Sequence, residues 1–350
     1  MGNNITKNNH YVPQFYLRNW SKDGKTIFVY RTLVSDKEVP LWTRTSIEHI
    51  ASHQHLYTIL VDGEPNDYYE KWFNSEFETP AQPAIEKVIR GIHLTYRDYE
   101  LLIQFLAAQI VRTPKWHASI NDHISEIFPN ALKQTVDKLE DTIKSQKSLP
   151  SLSQKVSDRF QIHIKITPEE DTDTSILEAK LYTGQKMWLT RINVMLPKIV
   201  SVLKKNSWTI LEAANNQEFP TSDDPVVCMG YRNSSDYWFK GVGLKQKNAN
   251  IFMPLTPKHL LFTEVGHETK ARQINYEFNT LINEVIIKHA NRNIFSTSKI
   301  KGMLALHPRI INPTLFNEEQ AFWRTWLESQ RDAEQNWDSE SNVVSTRTSG

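Results

Sequence analysis

Between residues 97 and 127, apolar side chains return every third or fourth position: Leu101, Leu102, Phe105, Leu106, Ile110 and Val111. That period places them on one stripe of an α-helix that faces a core. Thr113-Pro114 interrupts the stripe, because proline lacks an amide hydrogen and crowds the preceding turn. Similar periodicity predicts helices over residues 66–78, 83–92, 131–145, 175–205, 271–290 and 316–330, with a short one over 46–52. Pro13 suits the first turn of a short opening helix. Runs rich in β-branched and aromatic residues predict strands over 26–31, 40–44, 56–61, 161–166, 208–212, 251–255 and 259–264. Residues 146–157, rich in Ser and Lys, read as a linker. Residues 331–350 are polar without a period and read as a disordered tail.

Strands gather toward the two ends of the chain and helices in the middle, about 66–205. The expectation is an α+β fold. An antiparallel sheet from the N- and C-terminal parts would pack against the helical middle, as one composite domain over residues 1–330.

Composition narrows the function classes. Forty-one Lys and Arg against 40 Asp and Glu give a formal charge of +1, which excludes a globally basic nucleic-acid binder but not a local basic cleft. The 11 glycines never fall in phosphate-loop or dinucleotide spacing. Cys228 is the single cysteine, so an internal disulfide or a multi-cysteine zinc site is excluded. No run of about 20 apolar residues suggests a membrane span, and residues 1–9 lack a signal-peptide core, so a cytoplasmic protein is expected. Neither a cofactor, a metal requirement nor an oligomeric state follows from the sequence.

Five groups of residues could carry chemistry. Arg112 and Gln109 lie on or beside the apolar stripe, where a guanidinium must be paired. They read either as a buried structural salt bridge or as a pocket wall that holds an anion or a catalytic carboxylate. Ser222, Asp223 and Asp224 precede Pro225. They read as an Asx-type turn, or as Asp223 presented into a cleft to pair Arg112 or act as a base. His10 precedes a helix start, which favours a neutral ring able to act as a base or a donor. His49, His53 and His55 include an i, i+4 pair compatible with a metal on a helix, although a solvated polar face explains them as well. Asp67, Glu70, Glu76 and Glu78 form a carboxylate row that reads as a solvated helix face, or supplies the partner of Arg112.

Four segments together resemble a bacterial family of uncharacterised proteins, domain-of-unknown-function family 4238. They are the opening His10-Tyr11-Val12-Pro13-Gln14-Phe15-Tyr16-Leu17, then Gln109-x-x-Arg112-Thr113-Pro114, Phe219-Pro220-Thr221-Ser222-Asp223-Asp224-Pro225-Val226, and Pro254-Leu255-Thr256-Pro257. The chain departs from the family pattern at Pro220 and Asp224, where Ile and Asn are usual. The added charge at Asp224 would weaken phosphate binding there. The resemblance implies a polar cluster of His10, Gln14, Gln109, Arg112, Ser222 and Asp223. By analogy with accessory genes in mobile or defence settings, it also implies a toxin-like nuclease.

The functional expectation is a nuclease or phosphodiesterase-type hydrolase in bacterial stress or phage defence, with nucleic acid or a nucleotide as partner. Arg112 would hold a phosphate, with Gln109, Gln14 and Ser222 binding substrate. His10 would transfer a proton, and Asp223 would orient His10 or serve as the second acid–base group. The alternative is a sensor module that binds a nucleotide or phage ligand without turnover. A third reading makes the cluster a structural polar network and leaves function to a partner chain.

Overall fold

The computed structural model describes residues 5–61, 63–144, 162–168, 175–181, 185–269 and 273–345. The expected linker at 146–157 lies outside the described residues.

The chain opens with β1 (Asn8–His10) and the short helix α1 (Gln14–Leu17), which follows Pro13 as expected. Strands β2 (Thr26–Arg31), β3 (Thr43–Ser46) and β4 (Ser52–Gln54) come next. The helical middle starts with α2 (Tyr68–Phe73), a π-helical turn over Asn74–Glu78, and α3 (Thr79–Ile89). It continues with α4 (Tyr96–Val111) and α5 (Pro114–Lys144), which meet at Arg112-Thr113. A capping box fixes the start of α4: the Thr95 hydroxyl accepts from the Asp98 amide, and the Asp98 carboxylate accepts from the Thr95 amide.

The predicted helix over 175–205 is corrected to a strand followed by a helix. Strands β5 (Ile162–Pro168) and β6 (Ser175–Leu181) form an antiparallel hairpin, and α6 (Gln185–Leu203) follows. Residues 177–181 alternate apolar and polar side chains, so the strand period prevails there over the helical one.

The last third contains β7 (Thr209–Glu212), β8 (Thr221–Ser222), β9 (Val227–Asn233), β10 (Asp236–Trp238), β11 (Ala249–Thr256) and β12 (His259–Glu264). After these come α7 (Tyr276–His289), β13 (Asn293–Ser296), α8 (Pro313–Arg324) and α9 (Trp326–Ser345). Helix α9 extends to Ser345, beyond the Arg331 at which a disordered tail is expected. Arg331, Ala333, Glu334 and Gln335 are good helix formers and carry the helix past Gln330 without an apolar period.

The fold is α+β, with two main antiparallel sheets rather than the one expected. A four-stranded sheet in the order β8-β13-β2-β3 joins the two ends of the chain, and a five-stranded sheet in the order β7-β12-β11-β9-β10 comes wholly from the last third. The five-stranded sheet divides two cores, because successive side chains of a strand face opposite ways. Ile251, Met253 and Leu261 join the main core with Tyr16, Leu17, Phe105, Trp188 and Ile192. Phe252, Leu260 and Phe262 pack on the other side with Ile282, Val285 and Ile286 of α7.

Strand β1 pairs with β4, so His53 lies on a strand. The expected helix over 46–52 shrinks to a single 3-10 turn, Ile47–His49, and the shared helical face for His49 and His53 does not form. The His53 ring stacks between Tyr11 and Trp323, at 5.4 Å and 4.0 Å between ring centroids. Burial pushes its pKa down to about 3.

Candidate functional site

Glu70, Asn74, Glu78 and Gln82 stand four residues apart along α2, the π turn and α3. Four residues overshoot one α-helical turn by about 40°. The wider π turn takes back part of that drift and keeps the four side chains on one face. Together with His10, Gln14 and Arg18 from the opening segment, they line a cleft of about 270 Å³.

Arg112 lies beneath the cleft, at the C-terminal end of α4, and is wholly inaccessible at 0% exposure. Its Nη1 donates to Glu78 Oε1 at 2.6 Å, its Nη2 donates to the His10 carbonyl, and its Nε donates to the Tyr57 hydroxyl at 3.4 Å. The Tyr57 hydroxyl in turn donates to the Arg112 carbonyl at 2.6 Å. The guanidinium also lies over the Phe73 ring, 4.5 Å from its centroid. The sequence-level demand for a carboxylate partner is therefore met by the row at 67–78. The phosphate-holding role is corrected: a guanidinium with no accessible surface cannot touch a substrate.

The two cleft glutamates have different surroundings. Glu78 is paired by Arg112. Glu70 carries a buried Oε2 without a hydrogen-bond partner. Burial pushes the Glu70 carboxyl up to about 7, with Arg112 pulling it down and Glu78 and Asp67 adding to the rise. Near neutrality Glu70 therefore exchanges a proton readily, while Glu78 forms the ion pair.

His10 ends β1, and its Nε2 lies 3.3 Å from the Ile47 carbonyl. A carbonyl only accepts, which assigns the hydrogen to Nε2 and leaves Nδ1 with its lone pair. Burial, with Arg112 nearby, lowers the His10 pKa and keeps the ring neutral. Gln14 Oε1 accepts from Arg18 Nη2 at 3.0 Å, and Arg18 is the exposed cation of the cleft. Gln109 is fully buried, and neither polar atom of its amide has a partner. It stands between Phe105, which touches Phe15 and Tyr16, and Arg112, which holds the His10 carbonyl. It therefore belongs to the layer under His10–Tyr16, and not to the cleft lining.

Asp223 and Ser222 do not join this cleft. Asp223 Oδ1 accepts from the Asn291 amide at 3.0 Å, and Oδ2 accepts from the Arg292 amide at 2.8 Å and the Asn293 side chain at 3.4 Å. Burial raises its pKa to about 6 against the pull of those donors. The expected orienting contact between Asp223 and His10 is thus replaced by a cap on the turn before β13. The pairing of β8 with β13, Ser222 opposite Ile294, sets Asp223 beside the amides of Asn291 and Arg292. The Ser222 hydroxyl donates to the Asp224 carbonyl at 2.9 Å and accepts from the Asp224 amide at 3.2 Å, which closes a local turn. Asp224 pairs with Lys115 and His289, each at 2.8 Å, and those partners hold its carboxyl down at about 2.

Sequence reasoning missed Arg18, Asn74 and Gln82, and assigned Glu70 to a solvated row. The four-residue spacing of Glu70, Asn74, Glu78 and Gln82 was a usable signal, but the π turn that aligns them was not visible in it. Among the described residues, no group of three or more His, Cys, Asp or Glu is placed to share a metal ion.

The segments that carry the family pattern meet at one junction. The Tyr16 hydroxyl donates to the Pro254 carbonyl at 2.6 Å and lies 2.7 Å from Thr221 Oγ1. Trp20 Nε1 donates to the Phe219 carbonyl at 2.7 Å, and Thr113 Oγ1 donates to Asp224 at 3.4 Å. No curated protein and no solved structure matches the chain. Residues 8–300 match the family described as protein of unknown function (DUF4238), which covers most of the chain and all four segments, and the chain therefore belongs to that family.

Proposed function

We propose that the cleft is the active site of a phosphodiester hydrolase of the nuclease type, working by general acid–base catalysis in a bacterial stress or phage-defence setting. The observation that carries this reading is Glu70: a buried carboxyl with an unpartnered oxygen, lining a cleft and poised near neutrality. The charge balance of the cleft supports an anionic substrate. Arg112 neutralises Glu78, Glu70 is partly protonated near pH 7, and Arg18 remains to meet a phosphate.

In this reading His10 Nδ1 takes a proton from a water molecule as the water oxygen attacks phosphorus. Glu70 delivers its proton to the leaving oxygen as the phosphorus–oxygen bond breaks. Arg18 binds the phosphoryl oxygens, and Gln14, Asn74 and Gln82 offer amide groups to the rest of the substrate.

The test is purified protein incubated with single- and double-stranded RNA and DNA, with and without a divalent metal. Cleavage should fall by about 10²–10⁴-fold in Glu70→Gln with the melting temperature kept. No turnover on any of these substrates by a folded protein would overturn the hydrolase reading and leave the nucleotide-binding module ahead.

A further inference from the structure

A second concavity lies on the other side of the five-stranded sheet from the main core. Helix α7 covers the middle of that face with Leu281, Ile282, Val285 and Ile286. Near the helix start the cover ends, and a groove of about 780 Å³ remains, lined among others by Leu211, Tyr231, Asn250, Phe262, Asn275 and Phe278. Its floor is not open surface: Leu211 is 1% exposed, Phe262 4% and Asn250 6%. Phe262 and Phe278 meet edge to face at 6.5 Å, giving an aromatic base. The rim carries amides. Asn248 is held in place by His267, whose Nε2 lies 2.7 Å from Asn248 Oδ1, and Asn275 caps α7 by accepting from the Phe278 amide at 2.9 Å.

A volume of this order, an apolar floor and a few fixed polar groups are what a small-molecule site requires. Aromatic rings bind flat π-systems, and neighbouring amides match the mixed donors and acceptors on the edge of a heterocycle. We infer that this groove is a second ligand site, separate from the Glu70 cleft, that takes a nucleobase or nucleoside. The base would lie against Tyr231 and Phe278, with its edge toward Asn250. This inference is independent of the hydrolase reading, because it uses none of the same residues.

The experiment is calorimetric titration of the full chain with adenosine, and with ribose as a control lacking the base. Saturable adenosine binding with a dissociation constant below about 1 mM is expected, with no heat from ribose. Tyr231→Ala should weaken adenosine binding at least about tenfold, and Glu70→Gln should leave it unchanged. If Tyr231→Ala does not fold by circular dichroism, Phe278→Leu removes a ring while keeping an apolar side chain. Amide shifts of the wild-type protein on adding adenosine should centre on Tyr231, Asn250 and Phe262. Absence of saturable binding, equal binding of ribose, shifts centred on the His10–Gln82 cleft, or loss of binding in Glu70→Gln would each overturn the inference.

Discussion

Two acid pairs lie beside the junction of α4 and α5. On the Arg112 side are Glu70 and Glu78. On the Thr113 side are Asp223 and Asp224. Each pair has one member in close polar contact with basic side chains: Glu78 with Arg112, and Asp224 with Lys115 and His289. Each also has one member that burial pushes upward, Glu70 to about 7 and Asp223 to about 6. What separates them is satisfaction. Both Asp223 oxygens accept backbone amides, so that group is fully used in shaping the turn before β13. Glu70 is half-buried and lines a cleft, with its Oε2 enclosed and unpartnered, so its carboxyl is not used up in shaping the backbone. Buried polar groups are normally bonded, and an exception beside open space marks chemistry better than burial alone does.

The largest effect should come from removing the cation. Arg112→Ala leaves Glu78 and Glu70 without their counter-charge and the His10 carbonyl without its donor, and should cost about 3–5 kcal/mol in denaturant unfolding. A cost below about 1 kcal/mol would show that the pair is solvated and the comparison misplaced. Asp223→Asn comes next, at about 1–3 kcal/mol, because a carboxylate oxygen that bonds backbone amides is replaced by a group that donates. Any hydrolytic activity should survive in the folded fraction. A specific loss of rate at unchanged stability would return Asp223 to the active site.

The pH dependence sharpens the contrast. A carboxyl whose folded pKa is raised contributes stability that is complete below its unfolded value and is lost as pH rises through the folded value. For Glu70 that window runs from about 4.5 to about 7. Relative to wild type, Glu70→Gln should therefore gain stability as pH rises across it, whereas the histidine titrations, common to both proteins, cancel. A difference that stays flat from pH 4 to 8 would mean that Glu70 ionises normally. Ser222→Ala should have the smallest effect, about 1 kcal/mol, since it removes only two bonds within one local turn and touches no cleft residue. A larger loss would reveal a role for the hydroxyl beyond the turn.

Much of the architecture was legible along the chain. The apolar stripe from Leu101 to Val111 fixes α4, Pro114 fixes its end, and β-branched runs fix β2, β7, β11 and β12, because these elements depend on local period and on proline geometry. The same stripe made it clear that Arg112 needs a carboxylate. Which carboxylate it finds was decided in three dimensions. Asp223 and Glu78 are both acids beside apolar residues, and only the packing of the π turn against α4 brings Glu78 within 2.6 Å of the guanidinium. The five-stranded sheet and the cleft were likewise set by tertiary structure. Strand order, and the four-residue row that a π turn aligns, depend on long-range contacts that no local period encodes. The sequence thus determined which groups could not be left alone in the interior, and the fold determined which of them were satisfied there and which, such as Gln109 and Glu70 Oε2, were not.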